Sequence, residues 1–356
     1  MKSLKIDAWL LGSVLFLLTA GLITLASIDH TLFIRQLIWI ALALAVIFAL
    51  PYVNLRAIFS YRWVILSIYL GALALLALTY LVAPGRNGHH SWIVLGPILI
   101  QPSEFMKAAL IILLSGFFAL RHVSIARWKT IAASFLYFLV PFIFVVLQKD
   151  LGTSLVLFAI WFGYLLVSEI PWRYLIVFML MLAAIGVGAW HFGLAGYQKE
   201  RIIGLFNPSY ETLGINYNVI QAKIAIGSGG FFGQGFGQDT QVQLGFLPAA
   251  STDFIFSSFT EEWGVFGALL LIAVFMVMIY RILVIGMAAN NNFSRFICLG
   301  TAIFIVAHLV INIGSNMGFL PVIGIGLPLI SYGGSNLLTV ALLIGIIQNI
   351  AKEASF

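Results

Sequence analysis

The 356 residues include 18 Lys+Arg and 12 Asp+Glu, so 8% of the chain is charged, against roughly 25% in an ordinary soluble protein. Hydrophobic residues make up 62%, and the net charge of +6 is scattered between apolar runs rather than gathered into a patch. This excludes a soluble globular enzyme, a disordered chain and a nucleic-acid-binding domain, and the single cysteine, Cys298, excludes a disulfide framework.

A helix crosses the hydrocarbon core with about 20 mostly apolar residues. Ten such runs follow one another, near 8–27, 31–50, 63–83, 104–120, 131–147, 152–168, 172–193, 263–285, 296–315 and 334–351. They are continuously apolar rather than alternating, which argues against a β-barrel. The first leads through Asp29 and Arg35 into another span with no small-residue cleavage site, so it reads as a span rather than a signal peptide. The predicted fold is all-α: a polytopic membrane protein with ten transmembrane helices, one integral domain over 1–356. Ten spans put both termini on one side. With that side cytoplasmic, eleven of the 18 bases and only three of the 12 acids lie inside, and the short segments 51–62 and 121–130 are basic. Cytoplasmic termini are therefore expected.

Three outer loops stand out, at 84–103, 194–262 and 316–333. The large one is rich in aromatics, Gly and Ile rather than charge, which predicts an ordered extracellular loop. Within it Ile215, Val219, Ala222 and Ile226 recur at helical spacing, as in a short amphipathic helix at the membrane interface or on the bundle. Residues Gly227 to Gly237 hold six glycines in eleven positions, with neither a GxGxxG nor a GxxxxGK[ST] pattern. Such a stretch serves either as a mobile linker or as a loop whose amides approach an anion or sugar.

Charge inside a membrane is costly, so the few charged residues near spans carry the functional argument. Glu104 and Lys107 open the fourth span three residues apart, on one helix face. They form either an interfacial ion pair or a pair facing a water-filled cavity. Lys149 and Asp150 read as a solvated turn. Asp253 follows Pro248, which ends any preceding helix, and Ser251 or Thr252 is placed to cap the next one. Flanked by Phe254, Ile255 and Phe256, a carboxylate is partly desolvated, which raises its pKa toward the general-base range. The alternative role for Asp253 is a helix cap or the partner of a buried base. Glu261 and Glu262 read as interfacial. Arg86, Arg201 and Lys223 are outer bases suited to pyrophosphate oxygens. His89 and His90 have no third ligand at metal spacing, and no HExxH or Ser/His/Asp order occurs.

Several segments together resemble one family. Gly88 to Pro97 with Trp92, Gln101 to Lys107, Gln198 to Ile202, Phe206 to Pro208, Gln221 to Gly230, Leu247 to Ile255, Glu261 to Gly264, Asn316 to Gly324 and Ser331 to Ser335 are similar, in order, to the signatures of the SEDS proteins (shape, elongation, division, sporulation). The chain looks nearer the rod-shape branch than the division branch. It departs from the family pattern at His89–Ser91, often a basic pair, and at Gly326 to Leu329, which implies a looser loop before Ser331.

The resemblance implies a glycosyltransferase that polymerises lipid II into a nascent glycan strand at the outer face of the bacterial plasma membrane. Its implied partners are a class B penicillin-binding transpeptidase and other elongation-complex membrane proteins. In this reading Asp253 is the catalytic base of an inverting transfer. Arg201 or Lys107 meets the leaving pyrophosphate, Glu104 orients Lys107 or helps hold a divalent ion, and Trp92 stacks on a sugar or packs on the loop. No cofactor is assigned, and a divalent cation is the alternative source of positive charge. From other classes, a flippase for the lipid-linked precursor and a scaffold for the transpeptidase also fit the composition.

Overall fold

A continuous apolar run in a bilayer has to satisfy every backbone N–H and C=O internally, and this chain does so with helices. The structure, a computed structural model, describes residues 6–82, 91–121 apart from 97, 127–167, 196–207 and 214–354 apart from 215, with scattered positions between 168 and 195. In chain order the helices are α1 (Ala8–Ile28), α2 (His30–Ala49), α3 (Leu55–Ser60), α4 (Arg62–Val82), α5 (Pro102–Arg121), α6 (Trp128–Leu147), α7 (Leu151–Val167), α8 (Gly196–Phe206), α9 (Tyr217–Ser228), α10 (Thr240–Gln243), α11 (Ile255–Ala288), α12 (Asn292–Asn316) and α13 (Gly334–Glu353). Strands β1 (Ile93–Leu95) and β2 (Ile98–Ile100) form an antiparallel hairpin ahead of α5, with Ile93 opposite Ile100. Local chemistry sets the ends: Asp7, Asp29 and Asn291 accept backbone N–H groups in the first turns of α1, α2 and α12.

Among the described residues eight helices are long and apolar enough to cross a membrane, and α7, with 17 residues, is a shorter apolar one. The chain is thus a polytopic, all-α membrane protein. The expected seventh span, 172–193, falls largely outside the described residues, as do Arg86, His89 and His90. In the large loop, α9 carries Val219, Ala222 and Ile226 and packs on α11; Ile215 lies outside the described residues.

The core is built around α5, which packs against α4 and α12, and α13, which packs against α2. These two helices bury 78% and 83% of their spanning windows, far more than the peripheral helices. At one end of the bundle the backbone N–H of Asp7 donates to Gln348 Oε1 at 2.9 Å, and Arg281 pairs with the Asp7 carboxylate. The start of α1 and the end of α13 therefore lie together. At the opposite end the starts of α5, α7, α11 and α13 meet the end of α12.

The span expected at 263–285 begins earlier, at Ile255, because α11 is two helical pieces joined at Gly264, where φ is +68° and ψ −174°. Breaking a helix frees backbone groups that need partners. The glycine-rich stretch supplies them. Val265 N donates to Gly230 O and Phe266 N to Phe231 O, both at 3.0 Å, while Gln234 N and Gly235 N donate to Glu261 O and Glu262 O at 2.9 and 3.1 Å. The stretch is a strap across the break rather than a mobile linker. Glycine is needed on both sides, because a Cβ on Gly264 at the break or on Gly233 in the strap would collide with the facing backbone.

Glu261 and Glu262, which the sequence reads as interfacial, are buried within the protein. Glu261 Oε1 accepts from Gln241 N at 2.9 Å and Thr240 Oγ1 at 3.2 Å, and Glu262 Oε1 from Gly237 N at 3.2 Å. Next to them Asp239 is fully buried, and its Oδ2 has no hydrogen-bond partner among the described residues. Burial pushes its carboxyl above the usual carboxylate range.

Two predictions follow from this strap. Gly264→Ala should lower the thermal unfolding temperature, at a cost of about 1–3 kcal/mol for a strained left-handed residue plus the collision. A melt of the purified variant in detergent checks this. Asp239 holds its proton more tightly in the native state than in the unfolded chain, so its contribution is most favourable at acidic pH and is lost as pH rises through the folded value. Asp239→Asn should therefore raise the melting temperature at neutral pH, with the gain shrinking as pH falls toward the ordinary carboxylate range.

Candidate active site

The fourth apolar run begins with two charges, and the structure buries both. Lys107 is 1% and Glu104 7% exposed, and Lys107 Nζ donates to Glu104 Oε1 at 2.6 Å. This rules out an interfacial pair reaching into water. Removing two charges from water costs several kcal/mol per ion unless each polar atom finds a partner. Here they do. Asn336 Nδ2, on α13, donates to Glu104 Oε2 at 2.9 Å, and His308 Nε2, on α12, lies 3.2 Å from Lys107 Nζ. The His308 Nδ1 faces the Gly326 carbonyl oxygen at 3.0 Å. An ammonium only donates and a carbonyl only accepts, so the imidazole carries its proton on Nδ1 and accepts at Nε2. Lys107 also sits 5.6 Å from the centre of the Phe304 ring.

Asp253 lies on the turn between Pro248 and α11, half-buried. Neither Ser251 nor Thr252 caps the helix: the N-cap is Phe254, without a side-chain cap bond. The turn is instead held from outside by its carbonyls. Asn312 Nδ2 and Asn316 Nδ2, one helical turn apart on α12, each donate to Asp253 O at 2.9 Å. Asn312 Nδ2 also reaches Ile325 O at 2.8 Å. Ser331 Oγ donates to Thr252 O at 2.7 Å and accepts from Leu327 N at 2.7 Å, while Tyr332 N donates to Ser251 O at 2.9 Å. The segment before Ser331 is consequently tied down, contrary to the looser loop that the departure at Gly326 to Leu329 implied.

These two clusters face one space. A cavity of about 320 Å³ is lined by Trp92, Gln101, Glu104, Lys107, Asp253, His308, Ser331 and Asn336, among others. Of the five residues singled out from sequence, Asp253, Glu104, Lys107 and Trp92 therefore share a cavity, although they span 162 positions from Trp92 to Asp253. Arg201 lies on α8, and its side chain is outside the described residues. Asp150 is no plain solvated turn. It accepts from Thr153 N at 3.0 Å at the start of α7 and from Gln101 Nε2 at 2.9 Å, which fixes one wall of the cavity.

The arrangement offers a half-buried carboxylate on a braced turn, Asp253, and a buried ammonium, Lys107, already paired with the second carboxylate, Glu104. Among the described residues no group of three His, Cys, Asp or Glu is placed to hold a metal ion. Both Glu104 oxygens are committed to Lys107 and Asn336. This donor set does not make a metal cage, so no step is assigned to a divalent ion. Reading for charge passed over His308, Asn312 and Asn316. Their spacing of four along an apolar span marks a single polar face, and that was the available signal.

The turn's bracing is testable. Asn312→Leu keeps the volume but removes both carbonyl contacts, and should lower the melting temperature by the equivalent of about 1–3 kcal/mol for buried polar groups left unpaired.

Comparison with known proteins places these features in a family. The family model for FtsW, RodA and SpoVE, described as cell cycle protein, matches residues 2–356. The peptidoglycan glycosyltransferase MrdB of Escherichia coli (strain K12) is 37% identical over 264 residues, 74% of this chain and 71% of the relative. The stage V sporulation protein E of Bacillus subtilis (strain 168) is 32% identical and covers 100% of this chain and 99% of its own. Among solved structures, a chain of a peptidoglycan synthase complex matches with a TM-score of 0.84 at 31% identity, and the Thermus thermophilus rod shape determining protein RodA with 0.74 at 28%; each match covers 99% of both chains. From the first apolar helix to the last, then, the chain belongs to the FtsW/RodA/SpoVE family, the SEDS proteins.

Proposed function

We propose that the chain is a peptidoglycan glycosyltransferase that polymerises lipid II, and that the cavity between Asp253 and Lys107 is its reaction site. The activity is supported by relatives that are named peptidoglycan glycosyltransferases. The observation that carries the site is that one cavity presents a carboxylate and a buried ammonium together. That is the pair of charges a glycosyl transfer to a hydroxyl with a pyrophosphate leaving group requires.

In this mechanism Asp253 takes the proton of the acceptor 4-hydroxyl of N-acetylglucosamine. The oxygen forms a bond to the anomeric carbon of the donor sugar with inversion, and the bond from that carbon to undecaprenyl pyrophosphate breaks. Lys107 meets the negative charge that builds on the departing oxygen, in a wall where water does not screen it. Glu104 holds Lys107, Trp92 contacts a sugar, and Arg201 on α8 gives a second cationic contact to pyrophosphate. A base so placed contributes on the order of 10²–10⁴-fold.

The positive-inside balance supports cytoplasmic termini in the bacterial plasma membrane. The end of the bundle where Asp7 meets Gln348 is then inside, and the cavity opens outside, where lipid II is polymerised. A class B penicillin-binding transpeptidase and other elongation-complex proteins are the proposed partners, in line with the likeness to a chain of a peptidoglycan synthase complex. The nascent glycan strand is the proposed product, and the relation to the rod shape determining protein RodA supports a role in elongation and cell shape.

Purified protein incubated with lipid II should form glycan polymer, whereas a flippase makes none. Asp253→Asn keeps size and hydrogen bonding but cannot take a proton, so its rate should fall by about 10²-fold or more. Polymerisation at the wild-type rate would sink the base assignment. Lys107→Ala should also lose polymerisation, and a folded variant of normal activity would put Lys107 outside the site.

A further inference from the structure

The polar stripe on α12 raises a question that the general-base mechanism leaves open: what aims Lys107. A lysine ammonium has three donors on a flexible stem, and its direction is set only by what it touches. Glu104 Oε1 takes one N–H at 2.6 Å and His308 Nε2 lies within reach of a second at 3.2 Å. Lys107 itself lines the cavity, so the remaining N–H is the one left for a substrate oxygen. The ring that takes the second donor is held in turn. Its Nδ1–H meets Gly326 O at 3.0 Å, in the segment fastened to the Asp253 turn through Ser331 Oγ. The ring is 1% exposed and packs 4.7 Å from Phe304, centre to centre.

We infer that His308 is a positioning residue for the transfer: as an Nδ1–H imidazole it aims the third N–H of Lys107 into the cavity and ties that aim to the segment that braces Asp253. This inference rests on reading the cavity as the glycosyl-transfer site. Two features set His308 apart from a merely packed histidine. Both of its nitrogens are committed, one as acceptor and one as donor, and the two partners belong to the two halves of the site. A glutamine reproduces that acceptor and donor with its amide oxygen and nitrogen, while a methionine or leucine fills similar space with neither.

The test is lipid II polymerisation by the full chain in detergent for His308→Gln, His308→Met and His308→Leu, with melting temperatures alongside. His308→Gln should stay within about threefold of the wild-type kcat. The two apolar variants should lose roughly tenfold or more in kcat, the rate equivalent of one charge-assisted hydrogen bond, with KM little changed. A residue that only fills space predicts the reverse order, since methionine suits a buried apolar site better than glutamine. A folded Met or Leu variant with the wild-type kcat overturns the inference, and so does a Gln variant as impaired as they are. Asp253→Asn and Lys107→Ala, run in the same assay, separate the two failures. If both are active the reaction site is wrong, and if both are inactive while His308→Met is normal only the role of His308 falls.

Discussion

A charged pair at the start of α5 governs how the rest of the bundle is arranged around it. Lys107 and Glu104 lie 2.6 Å apart and almost out of contact with solvent, on the helix that packs between α4 and α12. Breaking such a pair by removing one partner costs more than the pair itself stabilises, because the other charge stays buried. The bundle therefore has to deliver further hydrogen-bonding groups to this point, and it does so from two other helices: His308 from α12 and Asn336 from α13. Three spans distant in sequence are thereby held in one register by polar contacts, while the apolar contacts between them are less directional.

The same logic extends to the Asp253 turn. A chain segment without regular secondary structure is tolerated at membrane depth or at its edge only where its carbonyls find donors. Asn312, Asn316, Ser331 and Tyr332 provide four donors to the carbonyls of residues 251–253. Further along, the break at Gly264 is closed by backbone bonds from the glycine-rich strap. A rigid turn presenting one carboxylate suits the general-base role proposed for Asp253, since misplacement of a catalytic group by about 1 Å costs on the order of 10²-fold.

Much of this was legible in the sequence, and the limits have physical causes. Nine of the ten apolar runs coincide with helices among the described residues, because a bilayer permits little else, and Asp253, Glu104, Lys107 and Trp92 stand out because charge and aromatic groups are scarce near spans. Their meeting in one cavity was not legible, because it depends on which helices pack together. Local rules failed where tertiary bonds override them. Ser251 and Thr252 have capping chemistry, yet the turn is held from α12 and the 326–332 segment. Glu261 and Glu262 look like residues at a membrane edge, but the amides of residues 237 and 241 give them partners inside the protein. The glycines of the strap read as freedom, whereas they permit backbone to lie against backbone.

In the proposed mechanism the carboxylate of Asp253 and the ammonium of Lys107, which line one cavity, act on the same substrate. A structure of the protein with a lipid II analogue bound tests it most directly. The expected result is pyrophosphate within hydrogen-bonding distance of Lys107 Nζ, with an acceptor 4-hydroxyl at the Asp253 carboxylate. Pyrophosphate bound away from this cavity, with Lys107 still closed on Glu104 and His308 and touching no substrate, would contradict it.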